Sequence, residues 1–188
     1  MITKTHPTLK KPKKVIGNNI IFRNAIKEDA TFILGLRTDP KKKKYIAKTS
    51  NNVKQQEAFL EKYSKDSEQI YFIIVNRQNE RIGTVRLYDP RIESFCWGSW
   101  ILKDGTPSSY AIESVLLVYH FALSLGFKKA HFDVRKGNRS VCKFHERFGA
   151  KKVEENNNNF FYKISLDAIK ISLEKYKKYL PNEFLINY

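Results

Sequence analysis

The chain has few cysteines and no long hydrophobic segment. Cys96 and Cys142 are the only two among 188 residues, too few for a disulfide framework and typical of a reducing compartment. The most apolar window, 115–125, contains His120 and is far shorter than the ~20 residues needed to span a bilayer. Residues 1–14 are basic and lack the apolar segment of a signal peptide. We therefore expect no membrane span and a cytoplasmic protein.

Acidic residues are also scarce. Lys and Arg total 35 against 19 Asp and Glu, which gives a net charge of +16 and a pI of about 9.8. Such a charge attracts polyanions, and nucleic acid, anionic lipid and phosphorylated small molecules all fit. A coding bias toward Lys and Asn would account for part of the excess, including the runs at 41–44 and 156–159, which we interpret as loops.

The length and composition predict one folded domain with basic ends. Domains usually run ~100–200 residues, and 41% hydrophobic with 13% aromatic residues is enough for a packed core and excludes wholesale disorder. Residues 1–18 hold many lysines and little to bury, which predicts a flexible tail. The domain is then expected at 19–166, followed by a basic helix and tail at 167–188.

Hydrophobic periodicity predicts the order β-α-α-β-β-β-α-β-α-β and then an extra helix. Strands are expected from residue 20 and at 70–75, 82–88, 95–102, 130–135 and 160–166. Helices are expected at 28–37, 53–64, 111–125, 140–148 and 167–180. The mixed order indicates an α/β (α+β mixed) fold, with a central mixed, mostly antiparallel sheet flanked by helices.

A loop of small residues enters the most apolar helix. Residues 104–110 read Asp-Gly-Thr-Pro-Ser-Ser-Tyr, and a loop of this kind leaves backbone N–H groups and the positive end of the helix dipole open to an anion. A pyrophosphate is one guest that suits it. The alternative, an ordinary turn capped by Ser108 or Ser109, is equally compatible with the residues.

A second unit follows, in which a strand at 132–135 leads through the turn at 136–138 into a helix closed by Gly149. The two units in this order resemble the GNAT superfamily of acyl-CoA N-acyltransferases over about 20–166. The stretch 98–101 (Gly-Ser-Trp-Ile) resembles the strand that carries the pantetheine arm, and 109–113 (Ser-Tyr-Ala-Ile-Glu) resembles the end of the pyrophosphate loop. The opening residues resemble the ribosomal-protein and sugar-modifying branches of the family.

The resemblance has three departures. The family loop commonly carries Arg or Gln where this chain has Thr106, and a central Gly where it has Ser109. A side chain at the latter position makes close approach of the backbone to a phosphate harder. The third departure is His145, at a position where many members carry Tyr near the CoA sulfur.

The resemblance implies direct acyl transfer within a ternary complex, and it suggests catalytic residues. His145 is our candidate acid, because a His with a pKa near ~6.5 can hold a proton close to neutral pH. Tyr119 and Tyr162 are substitute donors. Asp133 is the candidate base, and His131, on the same strand face, is the second. The alternatives are a packed helix histidine for His145 and an ion-paired carboxylate for Asp133.

The resemblance also implies binding residues. A backbone N–H near Trp100 or Ile101, where the strand should splay, would polarise the carbonyl. Asn138 would bind pantetheine or order the turn, and Ser140 would cap the last helix. The expected cofactor-binding residues are Trp100, Ile101, Leu102, Gly105, Thr106, Pro107, Ser108, Ser109, Tyr110, Ala111, Asn138, Arg139, Ser140 and Lys143. The expected substrate-binding residues are Arg86, Tyr88 and Trp97, with core packing as the alternative for Trp97. No metal is expected.

We therefore expect an N-acetyltransferase that uses acetyl-CoA. A nucleotide-linked amino sugar is the first choice of acceptor, since the chain also resembles acetyltransferases of surface-polysaccharide pathways. A protein N-terminus is second, and a polyamine is disfavoured because it shares the charge of the enzyme. A basic nucleic-acid-binding protein without catalysis is the competing class, and weak nucleic-acid binding alongside catalysis also fits. The chain would be a monomer or a homodimer.

Overall fold

A computed structural model describes residues 6–188. Its strands are β1 (Lys14–Ile16), β2 (Ile20–Asn24), β3 (Ile70–Asn76), β4 (Arg81–Arg91), β5 (Ser94–Leu102), β6 (Lys129–Arg135), β7 (Lys151–Glu155), β8 (Asn159–Ile164) and β9 (Leu185–Asn187). Its helices are α1 (Ala30–Thr38), α2 (Val53–Lys65), α3 (Ser108–Ser124), α4 (Arg139–Arg147) and α5 (Leu166–Lys175). Short 3₁₀ turns lie at 27–29, 43–45 and 177–179.

All nine strands of the described residues form one sheet, in the order β7-β8-β6-β5-β4-β3-β2-β1-β9. Every neighbouring pair is antiparallel except β5 and β6, which run parallel. The connection between those two strands is α3, as a parallel crossover requires. The predicted mixed, mostly antiparallel sheet is therefore confirmed.

The sheet is covered on both faces. Strand β3 is buried along nearly its whole length, because its alternate side chains enter two different cores. Phe72 and Ile74 join the larger core with α3 and α5, whereas Tyr71 and Ile73 join a smaller core with α1 and α2. This explains why β3 reads as a continuous apolar run instead of an alternating one.

The expectation of a flexible tail at 1–18 is wrong for residues 6–18, while residues 1–5 lie outside the described part. Strand β1 pairs with β2 on one side and β9 on the other. Leu9 is 3% exposed and Val15 is fully buried, while Lys10, Lys13 and Lys14 are exposed and Lys11 Nζ donates to the Tyr63 carbonyl at 2.7 Å. A few apolar side chains at the right spacing are enough to order a segment that its composition made look disordered.

The boundaries expected at 18/19 and 166/167 accordingly do not divide the fold. Buried Glu113 of α3 accepts hydrogen bonds from the backbone N–H groups of Asn19 (2.8 Å) and Ile20 (3.2 Å). Helix α5 packs on the larger core through Ile169, and β9 adds the last strand. The single-domain expectation holds, with both ends inside it.

Most predicted elements appear with small shifts at their ends. Helix α2 begins after Asn52, whose side chain accepts from the Gln55 N–H as expected for an N-cap. Helix α3 begins at Ser108, three residues earlier than predicted. Strand β7 was missed because all five of its residues are exposed, so it has no apolar alternation to detect.

Candidate active site

A cavity of about 600 Å³ opens where β5 and β6 separate. Their parallel pairing runs from Ser94–Lys129 to Cys96–His131 and stops there. The register of β4 against β5 shifts at the same level, with Ser99 at a φ of 47°, and Thr84 Oγ1 donates to the Ser99 carbonyl at 2.7 Å. This bulge turns the following β5 residues away from the ladder and leaves their backbone facing the gap.

Two different parts of the chain form the cavity walls. One wall comes from the starts of α3 and α4, with Ala111, Ser140 and Val141. The other comes from the end of α1 and the segment that follows it. Of the residues expected at the site, the cavity is lined by Trp100, Ile101, Leu102, Ala111, Asn138, Ser140, Asp133, His145, Tyr88 and Trp97. Those outside its lining are Gly105, Thr106, Pro107, Ser108, Ser109, Tyr110, Arg139, Lys143, His131 and Arg86.

The loop before α3 lies beside the cavity. It is not the turn capped by Ser108 or Ser109 that we considered as an alternative. Pro107 is the N-cap and makes no side-chain cap, so neither Ser108 nor Ser109 caps the helix. Both serines instead occupy the first turn of α3, where backbone N–H groups have no partner within a helix. These N–H groups and the helix dipole form a position suited to an anion.

The two sides of helix α4 line two different cavities. Arg139 and Lys143 line a second cavity of about 210 Å³ against β7 and β8, on the side turned away from the first cavity. Asn138 is the N-cap of α4, but its side chain makes no capping hydrogen bond to the helix backbone and instead accepts from Ser140 Oγ at 3.3 Å. The expectation that Ser140 caps the helix is therefore wrong, since Ser140 is the second residue of α4.

His145 lies in the floor of the cavity and is only 4% exposed. Its ring centroid is 4.4 Å from that of Phe132 and 5.2 Å from that of Trp97, and its Nδ1 has no hydrogen-bond partner. Burial lowers the pKa of His145 to about 3, because the imidazolium would lose its hydration. The expectation of a proton held near neutral pH is wrong, and the ring is neutral at pH 7.

Asp133 projects into the cavity from β6. Its carboxylate forms no ion pair with any residue in 6–188, so pairing with Arg135 or Lys129 is not observed. Loss of hydration raises the pKa of Asp133, and the charge of Arg135 opposes that shift. An uncompensated carboxylate in a concave wall suits the acceptance of a proton or the binding of an ammonium group.

His131 lies outside the cavity because it occupies the last position at which β5 and β6 still pair. Its Nδ1 is 2.7 Å from Ser94 Oγ and its Nε2 is 3.3 Å from Asp89 Oδ2. Burial lowers the pKa of His131, and the bond to Asp89 works against that shift. Both ring nitrogens are thus engaged in local structure.

The two substitute donors are also remote. Tyr119 is fully buried, and desolvation raises the pKa of its hydroxyl. Tyr162 Oη donates to Glu146 Oε1 at 3.0 Å and lines the second cavity. Neither tyrosine lines the first cavity.

Two of the three expected substrate residues line the cavity, and the third is a half-buried cation. Tyr88 and Trp97 line the cavity, although Trp97 is 3% exposed and also packs against Tyr119 and Phe132 as a core residue. Arg86 lies behind Tyr88, with its guanidinium 4.8 Å from that ring. Its Nε is buried and has no partner, and desolvation lowers the pKa of this arginine.

The sequence interpretation missed the wall beyond α1. That wall contributes Arg37, Lys41, Lys42, Tyr45, Ile46 and Ala47, and further lining residues are Phe132, Val134, Arg135, Val141 and Asn159. Its lysines belong to a run that we interpreted as a loop, and Asp104 joins that loop to the segment before α3. Lys42 Nζ is 2.5 Å from Asp104 Oδ1 and Lys41 Nζ is 3.2 Å from Asp104 Oδ2. A contact between such distant positions leaves no local signal in the sequence.

Two further properties concern the residues at 6–188 as a whole. They contain no group of three or more His, Cys, Asp or Glu side chains arranged to hold a metal ion. None of the helices formed by these residues is long and apolar enough to cross a membrane.

Comparison with known proteins agrees with this architecture. Residues 19–151 match the family model described as an acetyltransferase (GNAT) domain, whereas no curated protein sequence matches. The solved structure of apo FdhC, described as a nucleotide-linked sugar GNAT, is 37% identical, with a TM-score of 0.80. That match covers 89% of this chain and 98% of the FdhC chain. This chain belongs to the GNAT acetyltransferase family and is an acyl-CoA-dependent N-acetyltransferase.

Two more distant structures share the fold. A GCN5-related N-acetyltransferase from Brucella melitensis is 15% identical with a TM-score of 0.76, covering 94% of this chain and 90% of that one. A spermidine N-acetyltransferase from Vibrio cholerae, solved with CoA and spermine, is 16% identical with a TM-score of 0.73, covering 81% and 98%. At these identities the likeness concerns the fold.

Proposed function

We propose that the enzyme transfers an acetyl group from acetyl-CoA to the primary amine of a nucleotide-linked amino sugar, by direct attack within a ternary complex. Membership of the family supports the acyl-CoA donor. The acceptor is supported by the similarity to a nucleotide-linked sugar GNAT over most of both chains. The observation that carries the proposal is the charge of the cavity.

The cavity lining is rich in cations. Arg37 and Arg135 line it without an ion-pair partner among the described residues, Lys41 and Lys42 line it in ion pairs with Asp39 and Asp104, and Asp133 is the acidic residue among the described lining residues. A positive field in a concave site concentrates anionic ligands and repels cationic ones. A nucleoside diphosphate linked to an amino sugar offers two phosphates to that field, whereas a polyamine offers only positive charge.

In the proposed reaction, Asp133 receives the proton of the acceptor ammonium group. The free amine then attacks the thioester carbonyl, the C–S bond breaks and the electron pair leaves with the CoA sulfur. A backbone N–H at the β5 bulge near Trp100 or Ile101 would stabilise the oxyanion, and the first turn of α3 would hold the pyrophosphate of CoA. The raised pKa of Asp133 makes it a better proton acceptor than a carboxylate with the ordinary pKa.

His145 takes a different part from the one that its sequence position suggested. As a neutral imidazole it holds no extra proton to give to the thiolate. A neutral imidazole can still donate one hydrogen bond, and because Nδ1 is buried, Nε2 is the nitrogen that would have to face the sulfur. The proton on the product thiol then comes from the amine, and it reaches the thiolate through Asp133 or solvent.

We also propose that the enzyme works in the cytoplasm. Both cysteines of the chain are free and buried, which is the usual state of thiols in a reducing compartment. Involvement in polysaccharide biosynthesis would follow from the proposed acceptor, because acetylated nucleotide-linked sugars are donors for glycosyl transfer.

The proposal is tested by following thiol release from acetyl-CoA with a panel of acceptors. The panel contains nucleoside-diphosphate-linked amino sugars, the corresponding free amino sugars, spermidine and a peptide with a free N-terminus. We expect turnover with a nucleotide-linked sugar and at least ~100-fold lower kcat/KM with the others. Preference for spermidine or for the peptide would overturn the acceptor assignment and leave the family assignment intact.

A further inference from the structure

We infer that Arg37 and Arg135 form a subsite for the diphosphate of the acceptor, and that this pair makes the enzyme select nucleotide-linked over free amino sugars. The inference rests on the proposed function and names the residues that would give it its specificity. The two arginines come from α1 and the end of β6, and both line the first cavity.

Arg37 is held in place by neutral oxygen atoms. Its Nε donates to Thr49 Oγ1 at 2.7 Å, one terminal nitrogen to Ser99 Oγ at 3.3 Å and the other to the Ala47 carbonyl at 3.3 Å. The half-buried guanidinium has no carboxylate partner among the described residues. It is therefore oriented before any ligand arrives while its charge remains uncompensated.

The other cations of the cavity are not equivalent. Lys42 is balanced by Asp39 at 3.1 Å and by Asp104, which also pairs with Lys41. Arg135 forms no side-chain hydrogen bond or ion pair within residues 6–188, and the charge near it is that of Asp133. The lysines are thus locally neutralised, and the two arginines carry the unmatched charge of the cavity.

The ligand that this arrangement fits carries an amine and two phosphates on opposite sides of one ring. With the amine at Asp133, its positive charge cancels that carboxylate. The two arginines then face the diphosphate, which has one negative charge on each phosphate. Guanidinium groups bind phosphate oxygens through paired N–H donors, and the hydrogen bond from Arg37 to Ser99 fixes the Arg37 guanidinium relative to the β5 bulge.

The test compares Arg37→Gln, Arg37→Lys and Arg135→Gln with the parent enzyme. Arg77→Gln is the matched control, because Arg77 also donates to backbone carbonyls (Asn18 at 2.9 Å and Gly17 at 2.6 Å) but lies outside the cavity. Steady-state kinetics with a nucleoside-diphosphate-linked amino sugar and with the free amino sugar are measured, together with acetyl-CoA affinity. Inorganic pyrophosphate serves as the inhibitor probe.

We expect Arg37→Gln and Arg135→Gln each to raise the KM for the nucleotide-linked sugar by ~10–100-fold. The effect on kcat should be smaller, and KM for the free sugar and affinity for acetyl-CoA should stay within about twofold. Arg37→Lys should raise KM less than Arg37→Gln does, since lysine keeps the positive charge but lacks the paired N–H donors of the guanidinium. Pyrophosphate should compete with the acceptor in the parent and lose potency in both Gln variants.

The outcomes separate the inference from the proposed function. If the nucleotide-linked sugar is a good substrate and KM is unchanged in Arg135→Gln, the diphosphate lies elsewhere and the inference fails alone. This variant removes no internal bond, so the result stands even where Arg37→Gln folds poorly. Weakened acetyl-CoA affinity with unchanged acceptor KM would assign the pair to the cofactor and also overturn the inference. An enzyme inactive on every nucleotide-linked sugar overturns the proposed function itself.

Discussion

His145 should make the stability of the enzyme depend on pH in a way that one substitution removes. Burial lowers the pKa of His145 from 6.5 to about 3 in the folded protein, and an unfolded chain restores the ordinary value. Between pH 6.5 and about 3, His145 therefore binds a proton in the unfolded state but not in the folded state. The free energy of unfolding falls as pH decreases from 6.5 toward 3, and above 6.5 this group contributes no pH dependence.

The substitution is His145→Phe, which keeps a ring among Phe132, Trp97 and Phe144. At about pH 7.5 we expect the variant to lie within ~1.5 kcal/mol of the parent, as for other volume-conserving core changes. Each pH unit below 6.5 is worth ~1.4 kcal/mol of differential protonation. By about pH 4.5 the variant should therefore have gained ~2.7 kcal/mol relative to the parent.

Urea unfolding at a series of pH values measures the difference directly, because titrations shared by the two proteins cancel. Parallel stability curves, with a constant difference from about pH 7.5 to 4.5, would show that His145 accepts a proton in the folded state. The general-acid role that its sequence position suggested would then be restored.

Three further predictions concern other parts of the chain. Deleting residues 1–18 should cost ~3–6 kcal/mol, because Leu9 and Val15 are each worth ~1.5–3 kcal/mol when buried; a thermal midpoint equal to that of the full chain would contradict the β1 pairing. Ser109→Gly should preserve acetyl-CoA affinity and Ser109→Glu should weaken it by like-charge repulsion, as measured by calorimetry, and equal affinities would place the phosphates elsewhere. Asp133→Asn should lower kcat/KM by ~10²–10⁴-fold and remove the acidic limb of its pH profile, which the raised pKa of Asp133 places above 3.8; a profile of unchanged shape would exclude Asp133 as the base.

The sequence by itself was sufficient for the five helices and six of the nine strands in their order, for the mixed sheet and for the family. Those features depend on local periodicity and on turn residues that act within a few positions of themselves. Gly126, which has a positive φ just beyond the end of α3, is one such turn residue, and Asn52, the N-cap of α2, is another. Short motifs in the right order then identified the loop and helix that connect β5 to β6. They also identified residues that line the cavity, such as Asp133, Trp100 and Asn138.

Tertiary structure decided the properties that depend on neighbours distant in the chain. The same His145 in the same helix is an acid if exposed and a neutral ring if buried, and only packing against β5 and β6 determined which. Strand β1 gains order by pairing with β2 and β9, and β9 by pairing with β1, which no local composition reveals. Arg37 enters the cavity because α1 crosses the sheet beside the β5 bulge, and its charge stays uncompensated because no carboxylate of the described residues reaches it.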